Sequence, residues 1–490
     1  MRKRVSLLAA ASVIIAPVAG SAQGQRYLNP RDVAEAQQQH SELVQELGGA
    51  ETGPRAAYVE QVGRRVGAFT GLVNPGQALH FTLVNSAVEN AMSVPGGYVY
   101  VTRQLLALMD DESQLAFALG HETAHIAANH AQLREQYARQ GNMYGVLGSI
   151  LGAVLGNSGL GGMMSQSAQR ASQMRTLSFS RDQEYQADGL SMRYITQAGY
   201  DPAGGPGILA ALTRASALEG RLQGRTNRQT PEWASTHPLS ENRMQRAFAE
   251  AQQTGRLGTG IRNREGFLAQ LEGTFVDDDP AQGIIDGPVF THPDLRIQFR
   301  VPQGYLMSNG TYAVTVSGSA GKAQFSGGRF DGPLENYIYR VFQGLTRGQM
   351  QLNIPPPQRT VINGMPAAIT TARVNTSQGI VDASVVAYQW DPQRIYHFVM
   401  LAPGGYGIQP FLPMVNSLRR ITPAEAFAIR PRIIHIHTVV AGDTVQSLAS
   451  RMAYRDYQLD RFLSLNGLAT TSPLRPGQKV KIVVYGSRRT

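Results

Sequence analysis

His121-Glu122-Thr123-Ala124-His125 is the stretch on which the reading of this 490-residue chain turns. Two histidines four apart on a helix lie one turn above each other, so both imidazoles can reach one ion. Glu122 points roughly 100° away around the axis, because a helix has 3.6 residues per turn. It misses the coordination shell but reaches a water held by the metal. The flanking sequence is helical in character. Leu115, Ala118, Leu119 and Ile126 supply an apolar stripe, and Asp111 with Gln114 three residues on opens the helix. Nitrogen and carboxylate donors around one open position suit zinc, one ion per chain.

A third ligand is needed, and with no cysteine in the chain it must be His, Asp or Glu. Glu184 is the choice, in the helical-looking stretch Arg181 to Ile195. Asp188 falls one turn later on the same face, where its carboxylate can accept the free imidazole N–H of a ligand and fix its tautomer. By themselves Glu184 and Asp188 read as a solvated helical face; the upstream motif is what lifts them above it.

Four blocks, in order, carry a resemblance. They are Asn90-Ala91 followed by Pro95-Gly96-Gly97-Tyr98-Val99-Tyr100-Val101, the His121 motif extended to His130, Glu184-Tyr185-Gln186-Ala187-Asp188, and Thr236-His237-Pro238 followed by Arg243. Together, over roughly residues 30–250, they resemble the gluzincin zinc metallopeptidases that include HtpX and the CAAX prenyl protease, and most of all their periplasmic BepA-like members. The resemblance implies Glu184 as third ligand, with Asp188 supporting the site. It implies an edge strand over Tyr98 to Val101 beside the cleft, where Asn90, Tyr98, Val99 and Tyr100 meet an extended peptide; by chemistry alone the same residues read equally as an internal strand. It places His237 near the metal, either stabilising the oxyanion as a catalytic residue or filling the open position of a resting form. A histidine in a turn before proline is the plainer reading. Arg243 either binds a substrate carbonyl or pairs with a carboxylate. His130 reads as a structural helix residue.

Around this unit the chain is α+β and long enough for about three folded units. Residues 1–22 read as an export signal: Arg2, Lys3 and Arg4, an apolar run to Ala19, then small residues near a cleavage point at Ala22. Its removal takes the net charge from +10 to +7. Export without cysteine points to the bacterial periplasm, and nucleic acid is not an expected partner. A mainly helical metallopeptidase domain with a small sheet is expected over 23–272. In it Tyr58, Val62, Val66 and Phe69 recur at helical spacing, and Leu79, Phe81 and Leu83 share one side of a strand. The glycine-rich apolar insert over 143–164 is too short to span a bilayer. It reads as a lid or hairpin touching membrane or substrate protein, or as an ordinary buried hairpin.

Composition changes after Gly273. An α+β domain over 280–425 follows, with Leu295, Ile297, Phe299 and Val301 alternating, a tight turn at Asn363-Gly364, a buried strand over Ile395 to Leu401 and a helix near Phe411 to Arg420. It faintly resembles the PsbP/Mog1-type sandwich. Residues 432–484 resemble a small βααβ LysM domain: Gly442-Asp443 before a first helix, Asn466 ending a second, Pro476-Gly477 turning into a closing strand. LysM domains bind N-acetylglucosamine polymers, so peptidoglycan is the implied ligand; a copy kept only for packing is the bland reading. The metallopeptidase resemblance implies an endopeptidase acting on misfolded or stalled envelope proteins. The alternative is a zinc-stabilised chaperone or peptidoglycan-anchored binding protein with little turnover.

Overall fold

The computed structural model describes residues 26–131, 179–222, 237, 241–346, 352–376 and 379–487. The expected signal over 1–22, the insert over 143–164, Thr236 and Pro238 lie outside them. The described chain is α+β. Its N-terminal half contains α1 (Pro30–Glu46), α2 (Pro54–Gly67), β1 (His80–Val84), β2 (Ala91–Val94), β3 (Tyr98–Thr102), α3 (Arg103–Leu108), α4 (Glu112–Ala127), α5 (Arg181–Gln197), α6 (Gly204–Leu222), α7 (Glu241–Gln253) and α8 (Arg264–Leu271). Val62, Val66, Leu79, Phe81 and Leu83 are buried as their spacing predicts, whereas Phe69 is exposed because α2 has already ended at Gly67. No described helix is long and apolar enough to cross a membrane.

Helix α4 carries the histidine motif. Asp111 caps it, its carboxylate accepting from the N–H groups of Ser113 and Gln114 at 3.1 and 3.3 Å. The apolar stripe understated its burial: every residue of α4 except Ile126 is buried. Helices α2, α5 and α6 pack around it. Gly120 explains how closely they pack. A Cβ there would stand 2.7 Å from Ser191 Oγ on α5 and 3.2 Å from Val66 Cγ1 on α2. The bare backbone costs about 1 kcal/mol of helix propensity, and it lets α5 reach α4 one residue before His121.

The small sheet corrects one expectation. Its order is β1-β3-β2, with β1 parallel and β2 antiparallel to β3. Tyr98 to Val101 therefore form the central strand, and β2 is the edge. The Pro95-Gly96-Gly97 turn folds the short β2 back onto the outside, while β1 takes the other flank. Tyr98, Val99 and Tyr100 are all buried. Tyr98 is flanked by the His40 and His80 rings, with centroids 4.9 and 4.5 Å away, and the Tyr100 hydroxyl lies 2.8 Å from His40 Nδ1. They pack the sheet and offer no surface to a peptide.

After α8 the chain adds β4 (Phe275–Val276) and enters the middle unit. A seven-stranded antiparallel sheet runs in the order β11 (Gln358–Ile362), β12 (Met365–Thr376), β13 (Gly379–Asp391), β14 (Arg394–Pro403), β10 (Gly321–Arg329), β9 (Val314–Gly318), β8 (Leu306–Asn309). Helix α9 (Leu334–Thr346) covers one face through Ile338 and Phe342. On the other face lie α10 (Leu412–Ser417) and a four-stranded sheet of β15 (Arg419–Arg420), β7 (Ile297–Arg300), β6 (Val289–His292) and β5 (Ile284–Asp286). Asn363 and Gly364, with φ of 48° and 75°, make the expected tight turn. The helix expected to run to Arg420 is cut short, because Arg419 and Arg420 leave it to pair with Gln298 and Ile297.

His397 sits wholly buried on β14. Its Nδ1 lies 2.8 Å from the Tyr337 hydroxyl, and its Nε2 meets no hydrogen-bond partner among the described residues. Burial pulls its pKa from 6.5 down to about 4. The unfolded chain thus takes up this proton well before the folded one. Stability is full above about pH 6.5 and falls toward pH 4, by an amount on the order of 3 kcal/mol from this group. His397→Gln should flatten the acid slope of the middle unit's urea midpoint between pH 6.5 and 4; an unchanged slope would refute the assignment.

The C-terminal unit runs β16 (Arg432–Thr438), α11 (Val445–Ala449), α12 (Gln458–Asn466), β17 (Lys479–Tyr485), the expected βααβ order. Helix α12 ends at Asn466 with Gly467 at φ 62°, and Gly477 at φ 87° turns the chain into β17. The sheet recruits a third strand, because β4 pairs with β16. Ile434, Leu448, Phe462, Val480 and Ile482 belong to the same hydrophobic cluster as Leu115 and Leu212. Lys481 is buried between the units, its Nζ donating to the carbonyls of Ala107, Leu108 and Met109 at 3.1, 3.3 and 2.7 Å. This unit is welded to the helical half beside the start of α4.

Candidate metal centre

Helices α4 and α5 and the single residue His237 bring four donors together. His121, His125, Glu184 and His237 are all buried, and one ligand atom from each lies within 4.8 Å of the others. His121 Nε2 stands 3.0 Å from His125 Nε2, 3.1 Å from His237 Nδ1 and 3.6 Å from Glu184 Oε2. Glu184 Oε1 is 3.5 Å from His125 Nε2 and 2.9 Å from His237 Nδ1. Donors on a tetrahedral zinc at ~2.0–2.1 Å stand about 3.3 Å apart, so these residues have the types and spacing to hold such an ion.

The outer partners fix which nitrogen faces inward. His121 Nδ1 lies 2.9 Å from Asp188 Oδ1, leaving Nε2 for the centre. His125 Nδ1 lies 2.9 Å from His130 Nδ1, and His130 Nε2 lies 2.9 Å from Gln186 Oε1. If His125 donates through Nδ1, His130 accepts and passes its own Nε2–H to Gln186, which leaves His125 Nε2 bare. Burial, with the neighbouring His121 next, holds the His125 imidazole far below its ordinary pKa and therefore neutral. A neutral ring is the form that ligates.

Glu122 stands just outside the donor set. Its Oε2 accepts from Ser93 Oγ on β2 at 3.0 Å, and its Oε1 is 3.4 Å from His237 Nε2. Asp188 is held by Arg243, whose Nε and Nη2 donate to its two oxygens at 2.6 and 2.9 Å. Arg243 Nη1 is 2.9 Å from Glu184 Oε2. Burial alone would raise Asp188, but Arg243 outweighs it and holds the carboxyl well below the usual range. Of the two readings of Arg243, the geometry presents pairing with carboxylates: its side chain is 1% exposed and lies against Glu184 and Asp188. Asn90 is buried before β2, its N–H bonded to Thr102 Oγ1.

Sequence reasoning missed Ser93, Gln186 and the outer role of His130. His130 had one signal, its place five residues after His125; the other two had only their neighbours. His435 and His437, on one strand face, lie against Glu272 and Asp443 at 3.2 and 2.8 Å and join no metal-ligating group among the described residues.

A buried helix with paired histidines, a carboxylate from α5 and an acid beside them are the groups expected of a metallopeptidase site. Comparison with known proteins agrees. Residues 54–251 match the model of Peptidase family M48 and residues 437–483 that of the LysM domain, so the chain carries an M48 peptidase domain and a C-terminal LysM domain. The resemblances read from the sequence blocks are therefore borne out. Similar proteins include the Beta-barrel assembly-enhancing protease of Yersinia pestis, 32% identical over 40% of this chain and 39% of that protein. Mitochondrial metalloendopeptidase OMA1 of Schizosaccharomyces pombe is 28% identical over 43% of this chain and 58% of that protein. The chain thus spans well under two thirds of the length of either relative. Among solved structures, cyanobacterial PsbP from Synechocystis sp. PCC 6803 aligns with 28% of this chain and 98% of its own at 9% identity and a TM-score of 0.23. At that score the middle unit's fold rests on its own topology.

Proposed function

We propose that this chain is a zinc-dependent endopeptidase of the bacterial envelope that hydrolyses misfolded or stalled envelope proteins. The observation that carries the reading is a carboxylate, Glu122, held by Ser93 beside four converging donors and outside their set. A site that only tied the fold together would need no such acid. His121, His125 and Glu184 would hold the zinc, which when bound would supply a Lewis acid for the scissile carbonyl and for activating a water near neutral pH. Glu122 then takes the proton of the attacking water and delivers it to the leaving amine. Asp188 and the His130–Gln186 pair keep the ligand imidazoles in their tautomers. The outer edge of β2, which carries Ser93 and pairs with no further strand among the described residues, supplies backbone groups for an extended substrate, the role that family resemblance had given to Tyr98 to Val101. The LysM domain would hold the enzyme on peptidoglycan, and the periplasm is the matching compartment.

His237 reads best as the fourth ligand of a closed resting form, since its Nδ1 lies within the donor set and its Nε2 faces Glu122. His237→Ala should keep zinc and raise cleavage of an unfolded protein several-fold; a fall would make His237 a catalytic residue instead. The reading as a whole is tested with the chain from Gln23, assayed for bound zinc and for chelator-sensitive cleavage of an unfolded protein. Stoichiometric zinc with no cleavage, by it or by His237→Ala, would favour the binding-protein alternative.

A further inference from the structure

A cleft of about 570 Å³ opens beside the metal group, and the catalytic reading does not account for the way it is built. This is within the size of ligand clefts, roughly 300–1,000 Å³. One wall is catalytic: His125 at the end of α4 and Ser93 on β2 both line it. Phe179 lies flat on the His125 ring, with centroids 3.8 Å apart, and lines it too. Further lining comes from the N-terminal arm formed by Arg26, Tyr27 and Leu28.

This arm is pinned in place. Arg26 N–H donates to the Gly71 carbonyl at 3.3 Å, and the Arg26 carbonyl accepts from Val73 N–H at 3.0 Å. The Arg26 guanidinium donates to the carbonyl of Ala127, the last residue of α4, at 2.9 Å. Cations are favoured at that end of a helix, where carbonyls lack partners. The arm is therefore fastened to the same turn of α4 that carries His125. It also seats on the β2–β3 turn. A Cβ on Gly97 would stand 3.0 Å from Leu28 Cδ1 and 1.8 Å from the Ala78 carbonyl, and one on Gly96 would stand 2.5 Å from the Asp32 carbonyl on α1. Both glycines hold φ near +100°. The paired glycines of this turn are what allow the arm and α1 to close against the sheet.

The chemistry of the walls identifies an occupant. Leu28, Leu72, Pro95, Ile126 and Phe179 give apolar walls, while Asn29, Asp32 and Asn129 line the same cleft. β2 ends at Val94, immediately before Pro95 and Gly96 in the wall. A segment lying along the free edge of β2 thus carries its side chains from the metal group toward this opening. We propose that the cleft is a specificity pocket for a bulky apolar side chain flanking the scissile bond, and that the N-terminal arm, through Leu28, sets its size. This rests on the endopeptidase reading and names the class of sequence it cuts: segments with exposed leucine, methionine or phenylalanine, which are buried in folded proteins and accessible in unfolded ones.

The test compares the zinc-loaded full chain with Leu28→Ala, which widens the arm's wall, and Ala128→Phe, which fills the cleft from the end of α4. Sites cut in a denatured protein mixture are mapped by mass spectrometry, and the rates of matched peptides are measured. The wild type should favour leucine, methionine and phenylalanine at one flanking position. Leu28→Ala should shift that preference toward tryptophan, and Ala128→Phe toward alanine and glycine. Each shift should change relative kcat/KM by roughly ten- to a hundredfold, the scale of discrimination by apolar pockets. A merely loosened fold lowers all rates together and leaves the ranking intact. The same ranking in all three active enzymes would overturn this inference alone, and no cleavage by either the wild type or His237→Ala would overturn the endopeptidase reading with it.

Discussion

Glu122→Gln should bind zinc as the parent does and lose cleavage by about 10²- to 10⁴-fold, the usual contribution of a positioned acid–base group. The substitution is nearly isosteric. Glutamine still accepts from Ser93 Oγ, which holds Glu122 at 3.0 Å, so the fold around β2 and α4 should survive. What it removes is a site for the proton of the attacking water. The four donors do not include Glu122, and this is why metal content and turnover separate. Zinc content by elemental analysis and cleavage of an unfolded protein, measured on the same preparation, decide the matter. Equal zinc with undiminished cleavage would remove Glu122 from the mechanism. Loss of zinc along with activity would instead mean that the carboxylate joins the coordination shell.

The parts of this site that lie within one turn of one helix were legible in the sequence. His121, Glu122 and His125 follow from the period of the α-helix alone, and Asp111 announced where that helix starts. Glu184 and Asp188 were reached because they too share a helix face, once the motif upstream gave that face a purpose. Tertiary contacts between short segments were not legible. The pattern of β3 is four apolar residues in a row, which suits a strand buried on both faces, yet family likeness had placed it at the edge. The structure puts β3 at the centre of the sheet, the other reading its residues allowed, and leaves β2 at the edge. Ser93 and Gln186 gave no signal because a serine on a short strand and a glutamine on a helix are common surface residues. Only the fold puts one against Glu122 and the other behind His130. The same holds for Lys481, which in a strand of a LysM domain reads as a solvated lysine. Its burial against the Ala107 to Met109 carbonyls follows from where the domain docks.

Arg243→Met should destabilise the peptidase unit of the metal-free protein by about 3–5 kcal/mol, the scale of breaking a buried ion pair from one side. Arg243 is 1% exposed and neutralises two buried carboxylates, Asp188 at 2.6 Å and Glu184 at 2.9 Å. Removing it leaves both buried carboxylates with imidazoles as their nearest partners among the described residues. The arginine also ties the loop residue His237 to the site, because Nη1 donates to the His237 carbonyl at 3.1 Å. Charge and shape can be separated. Arg243→Lys keeps the positive charge but cannot donate to both oxygens of Asp188 and to Glu184 from one planar fork, so it should fall between the parent and Arg243→Met. Hydrogen exchange of the α4 and α5 amides, read as opening free energies in chelated protein, measures the loss where it arises. If Arg243→Met opened no more readily than the parent, the guanidinium would hold no part of this fold, and its place beside Glu184 would have to be explained by a contact with substrate.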